Sequence, residues 1–181
     1  MGALNTVVAV CIACHGASGE GNSSGVPRLA GQNAGYLAHQ LATFKEGTRA
    51  SAIMQPVARD LDEAGIAAVA AYFSKQVAPL ADAPAPVLPG LALAGGMLSE
   101  SGTSEVPPCF SCHAAYGKGN GARFPAIAGQ PSRYLVDRLH EFQARARREA
   151  PKPGSMTEVA SALDESQVEQ VAAYLSRLDP R

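Results

Sequence analysis

The chain has no tryptophan, and its aromatic content stops at five phenylalanines and five tyrosines in 181 residues. Hydrophobic residues still make up 46% of it, but alanine supplies much of that share. Cores built from such small side chains are thin, and domains of this size then need a staple, a metal or a cofactor to pack around. An excess of either charge is missing too: 15 basic and 16 acidic residues leave a net charge of −1. That balance excludes the phosphate-binding surface that nucleic-acid recognition requires. No apolar run approaches the length of a membrane span, and MGALNTVVAV has neither the basic start nor the small-residue cleavage site of a secretory signal. The sequence therefore reads as mature or trimmed. No cysteine is spare, because Cys11, Cys14, Cys109 and Cys112 all lie in a phrase that occurs twice. None is left for a structural disulfide, and thiols used in another bond say nothing about the redox poise of the compartment.

What is present is a duplication. A shift of 98 positions lays Cys11, Cys14 and His15 on Cys109, Cys112 and His113, VPRLAGQ from Val26 on FPAIAGQ from Phe124, and Tyr36, Leu37, Leu41 and Phe44 on Tyr134, Leu135, Leu139 and Phe142. A shift of 102 then aligns the segment from Met54 with the segment from Met156. The second copy therefore carries four extra residues, within RARREAPKPGS. Between the copies, Pro79, Pro84, Pro86 and Pro89 oppose helix and predict a stiff connector. The expected organisation is a first domain over 1–77, a linker over 78–89 and a second domain over 90–181. Within each unit the apolar spacing is helical: Tyr36, Leu37, Leu41 and Phe44 recur at offsets of three and four, with Asn33 placed as N-cap and Gly47 as stop. Ile66, Val69, Ala70 and Phe73 repeat the pattern, as do Val168, Val171, Ala172 and Leu175. No stretch alternates with a period of two, so the fold class is all-α, with a few short helices per unit joined by Gly- and Ser-rich loops.

The repeated C-x-x-C-H phrase is the attachment signature of c-type haem. On one helical turn the two thiols point the same way and can bond the two vinyl groups of a porphyrin edge, while the adjacent histidine reaches the iron. A zinc site built from both C-x-x-C pairs would span two units and leave both histidines unexplained. A thioredoxin-like dithiol expects a βαβ setting that the pattern lacks. A haem that only passes electrons needs a second axial ligand, and methionine is one standard partner of histidine. Met54 and Met156 stand 39 and 43 residues after their histidines, at matched positions, whereas Met1 and Met97 have no repeated role. His39 and His140 are unmatched between copies and are expected on helix surfaces. Arg145, Arg147 and Arg148 form a basic run absent from the first unit, either a solvated face or a docking patch for an acidic partner.

Two C-x-x-C-H motifs, each followed by P-x-[LI]-A-G-Q, a YL helix and a methionine ahead of an AAY helix, resemble the dihaem c-type cytochromes of the cytochrome c4 family. The resemblance implies two tandem class I cytochrome c domains, each wrapped around one covalent haem c, in a bacterial periplasmic or membrane-associated electron carrier. It implies thioether bonds from Cys11, Cys14, Cys109 and Cys112, with His15 and Met54 on one iron and His113 and Met156 on the other. It also implies that Pro27 and Pro125 offer carbonyls to the axial histidines. Arg28, Gln32 and Tyr36, with Gln130 and Tyr134, are candidates to line the haems or reach a propionate. The short stretch ahead of Cys11 implies a reduced N-terminal helix, and the longer loop before Met156 makes that ligand loop unlike its partner, so that the two haems need not share a potential.

The reading that follows is an electron carrier without catalysis of its own, working between a donor such as a quinol-oxidising complex or a dehydrogenase and an acceptor such as a terminal oxidase. A cytochrome subunit of a larger dehydrogenase is the alternative. A dihaem peroxidase would need an iron open to substrate, which the two methionines oppose.

Overall fold

The computed structural model describes residues 2–77, 79–80 and 88–180. Most of the expected linker, residues 78 and 81–87, lies outside the described residues. The first unit holds α1 (Gly2–His15), α2 (Ala34–Glu46), α3 (Met54–Arg59) and α4 (Glu63–Ser74). The second holds α5 (Pro89–Ser101), α6 (Cys109–His113), α7 (Ser132–Ala146), α8 (Met156–Ser161) and α9 (Glu165–Leu175). Among the described residues no strand forms, only an isolated bridge between Asn120 and Phe124.

Local chemistry sets the helix ends. Asn33 accepts from the Tyr36 amide to start α2, and Gly47 closes it in the left-handed conformation at φ 77°. Asp62 and Asp164 cap α4 and α9, the latter with Gln167 completing a reciprocal capping box.

Each unit has its own small core. Val8, Leu37, Val69, Ala70 and Phe73 form the first, and Leu98, Val106, Leu135, Leu139, Val168, Val171 and Leu175 anchor the second. Cys11 packs against the first core and Cys109 and Met156 against the second, so the cores run directly into the motif residues.

The units differ at their amino ends. In the second, α5 crosses α9 so closely that a Cβ on Gly95 would lie 1.9 Å from the Gln170 carbonyl oxygen, and Tyr174 covers Gly96 and donates to Glu100 at 2.9 Å. A separate helix, α6, then carries the motif. In the first unit one continuous helix, α1, does both jobs: Val7 and Val8 meet the core while Cys11, Cys14 and His15 occupy its last turns.

Candidate haem sites and the interface between the units

Both C-x-x-C-H phrases lie on helix, so each cysteine pair is one turn apart on a common face. Cys11 and Cys109 are half-buried and Cys14 and Cys112 exposed, and burial pushes the Cys11 and Cys109 thiols up from their ordinary value. Beyond each histidine the chain turns back in the same way twice. The Gly21 and Gly119 amides donate to the His15 and His113 carbonyls, both at 2.8 Å. The Leu29 and Ile127 amides donate to Gly19 and Gly117, both at 2.8 Å. This loop delivers Pro27 and Pro125 to the histidines.

His15 Nδ1 donates to the Pro27 carbonyl at 2.8 Å, and His113 Nδ1 donates to the Pro125 carbonyl at 2.7 Å. A carbonyl can only accept, so Nδ1 carries the hydrogen and Nε2 is left with its lone pair, the arrangement a metal-binding imidazole needs. The rings are 7% and 6% exposed, and burial holds both imidazoles below their ordinary pKa, against the opposing pull of the carbonyl bond. Met54 and Met156 are the first residues of α3 and α8, both half-buried. Ser51 and Ser155 sit just ahead of them: the Ser51 hydroxyl accepts from the Met54 amide, and Ser155 caps α8.

Two of the glutamines expected to line the haems have another visible role. Gln32 Nε2 donates to the Ala126 carbonyl at 2.9 Å while its Oε1 accepts from the Ala126 amide at 3.0 Å. Gln130 does the same to Arg28, at 2.9 and 3.0 Å. Ala126 is the repeat of Arg28 and Gln130 the repeat of Gln32, so the clasp is two-fold: each unit grips the other's proline loop by its backbone. Arg28 is buried with its guanidinium donating to the carbonyls of Ala30 and Pro79, which ties the start of the connector to the first unit.

Tyr36 and Tyr134 come close to each other across this boundary, and burial, with the neighbouring Tyr134 phenol, pushes the Tyr36 phenol well above its ordinary value. Two arginines that the sequence pattern did not single out join them. Arg49 reaches the Tyr134 hydroxyl at 3.5 Å and lies over the Phe44 ring at 4.5 Å, and Arg138 lies over Phe142 at 4.6 Å. Arg138 pairs with Glu141, but Arg49 Nε is buried without an acceptor. A sequence signal did exist for Arg138: Tyr134, Arg138 and Phe142 recur every four residues on one face of α7. The remaining histidines stay apart from the motif, His140 pairing with Glu165 at 3.0 Å on the surface. Among the described residues no three His, Cys, Asp or Glu side chains converge as a metal site.

The family model for cytochrome c matches twice, over residues 5–76 and 107–179. The structure also resembles that of reduced recombinant cytochrome c4 from Pseudomonas stutzeri, with a TM-score of 0.84 and 32% identity over 98% of this chain and 97% of that one. The chain belongs to the cytochrome c4 family. Another relative is 35% identical over 98% of this chain and 82% of its own length, the thiosulfate dehydrogenase electron acceptor of Stutzerimonas stutzeri strain A1501. A third similarity, at TM-score 0.83 and 38% identity, covers 94% of this chain and 36% of a thiosulfate dehydrogenase chain from Marichromatium purpuratum. This c4-type cytochrome is an all-α dihaem electron carrier with two covalently attached haem c groups, and not a catalytic enzyme. The residues present fit that cofactor: thiols on one helical face, an imidazole with Nε2 free, and a buried guanidinium nitrogen awaiting an anionic group.

Proposed function

We propose that residues 1–77 and 90–181 each hold one haem, and that residues 78–89 connect them. Cys11 and Cys14 would hold the first haem through thioether bonds, with His15 and Met54 as its iron ligands; Cys109, Cys112, His113 and Met156 would repeat those roles in the second. The matched bonds from His15 to Pro27 and from His113 to Pro125 carry this reading. Bound haem supplies a one-electron ferric/ferrous couple whose conjugated edge admits and releases the electron. The chain's own residues set the conditions. The proline carbonyls fix the histidine tautomer and raise its basicity as a ligand. The Met54 and Met156 thioethers would hold the iron together with the histidines and so keep substrates from it, and the Leu, Val and Phe cores exclude water. Tyr36, Tyr134 and Arg49, with Arg138, offer the donors that a propionate edge at the boundary would accept.

The donor we assign is a dehydrogenase acting on an inorganic sulfur compound, which makes this chain an electron acceptor or cytochrome subunit for that enzyme. Its support is the name of the Stutzerimonas relative and the match to part of a thiosulfate dehydrogenase chain. A terminal oxidase is the assigned acceptor. We place the pair in the bacterial periplasm, free or at the membrane surface; no helix among the described residues is long and apolar enough to cross a membrane. In the test, purified ferric protein is mixed with a catalytic amount of thiosulfate dehydrogenase and with thiosulfate. Reduction of both haems at rates that saturate with cytochrome concentration supports the assignment. Reduction no faster than without the enzyme removes this donor. Rapid carbon monoxide binding to the native ferrous protein would instead show an open iron and end the carrier reading for that haem.

A further inference from the structure

The duplication makes each unit a control for the other, and the two differ most where the chain approaches the methionines. In the first unit the loop from α2 to Met54 holds one cation, Arg49, and that side chain is turned inward onto Phe44, Gln40 and Tyr134. The rest of that approach is Ala50, Ser51, Ala52 and Ile53, uncharged, with Ile53 73% exposed. In the second unit the corresponding segment is four residues longer and carries Arg145, Arg147, Arg148 and Lys152 against a single acid, Glu149. Glu149 pairs with Arg145 at 3.2 Å. Arg147, Arg148 and Lys152 are exposed and make no ion pair among the described residues.

Helix-end electrostatics do not account for this run. Cations in a last turn favour the helix dipole, yet α2 ends at the same place with Lys45 and a glycine cap. Lys152 also lies well past the end of α7. The loop is ordered by its own backbone: the amides of Arg148 and Glu149 both donate to the Arg145 carbonyl at 2.9 Å. The Ser155 amide donates to Lys152 at 3.1 Å, and the Gly154 amide to the Glu158 carboxylate at 2.7 Å. Beneath it opens a cleft of ≈ 570 Å³ lined by Gln143, Arg147, Pro151, Ser161 and Glu165 among others.

We propose that residues 145–152 are the docking surface by which the second haem meets a redox protein with an acidic electron-transfer face, while the uncharged approach to Met54 serves the other electron route. The proposal rests on the electron-carrier reading. An anionic membrane is disfavoured as the occupant, because no large hydrophobic residue is exposed in this stretch to enter a bilayer interface. Charges on such a rim act mainly on the rate of encounter, which complementary fields raise by about 10- to 1000-fold at low ionic strength.

The test uses the reduced holoprotein and an oxidised, strongly acidic blue-copper protein as probe. One electron passes from the ferrous cytochrome to Cu(II), giving Cu(I) and ferric protein. The triple variant R147E/R148E/K152E is expected to react about tenfold or more slowly at low ionic strength and to lose most of the salt dependence. R147Q/R148Q/K152Q is expected to fall between it and the parent. With tris(phenanthroline)cobalt(III), a small cation, the Glu variant should react at least as fast as the parent. Unchanged rates with the copper protein overturn the proposal, as does binding to phosphatidylglycerol vesicles that depends on these three residues while the copper-protein rate does not. Failure of the parent to be oxidised even by the cobalt reagent would reject the electron-carrier reading itself, a separate outcome.

Discussion

At the residue scale, duplication shows where one copy lacks the other's solution. Gly16, just after the first histidine, sits at φ 88°. Its repeat is Ala114, which holds φ 60° and ψ 171°, a region that only glycine occupies without strain. Ala114→Gly should therefore stabilise the second unit by about 1 kcal/mol or more, read as a higher denaturant midpoint with an unchanged slope. The reverse change would carry the same backbone strain into the first unit, because Gly16 holds φ 88°, and it would also push the Glu20 carboxylate aside. For the proposed ligands, Met54→Ala should lower the first haem's potential, remove that haem's share of the far-red band of thioether-bound ferric iron and open that iron to carbon monoxide, with the second haem's signals intact. Redox titration with optical detection checks the first two and carbon monoxide addition to the ferrous protein the third, and a band that persists at full strength would assign that ligand elsewhere.

At the scale of elements, the two units support their motif helices differently. The second relies on the α5–α9 crossing, where glycine permits backbone contact. Gly95→Val overpacks the crossing and forces α5 away from Gln170, which should cost about 1–3 kcal/mol. Thermal unfolding followed at the second haem should shift well below unfolding at the first. The first unit has a continuous α1 in place of two helices, so its motif is steadied by Val8, Leu37 and Phe73 directly. Helical periodicity in the sequence anticipated the apolar faces of α2, α4, α7 and α9, and the caps Asn33 and Gly47 of α2. It did not show that α1 would run unbroken through the motif, because that depends on packing against α4.

For the whole molecule, the boundary between units is hydrogen-bonded and buried rather than broadly apolar. The clasp of Gln32 and Gln130 contributes four bonds, each worth about 1 kcal/mol net and more when one partner is stranded. Gln32→Ala with Gln130→Ala should let the units separate, seen as a larger radius of gyration in small-angle scattering with both haems still attached. Tyr36 gives this boundary a pH limit. Its folded pKa is raised above the ordinary phenol value of 10.0, so it favours the closed form fully below that pH. Above about pH 10 a released phenol ionises while the buried one does not, and closure weakens as pH rises. Tyr36→Phe should remove that component of the alkaline transition, as measured by scattering across pH 9–12.

The sequence by itself determined the chemistry: spacing within C-x-x-C-H, the matched Met54 and Met156, and the repeat that made both meaningful are local properties of the chain. Pro27 and Pro125 were marked only through the family resemblance, and the structure places their carbonyls on the histidine Nδ1 atoms. Only the tertiary structure decided that Gln32 and Gln130 reach across to the opposite unit and that Arg49 and Arg138 flank the paired tyrosines. It alone turned the first unit's one loop cation inward while leaving the second unit's exposed. Those outcomes depend on how two folded units face each other, and no periodicity within one chain segment encodes the partner that a side chain meets 94 or 102 residues away.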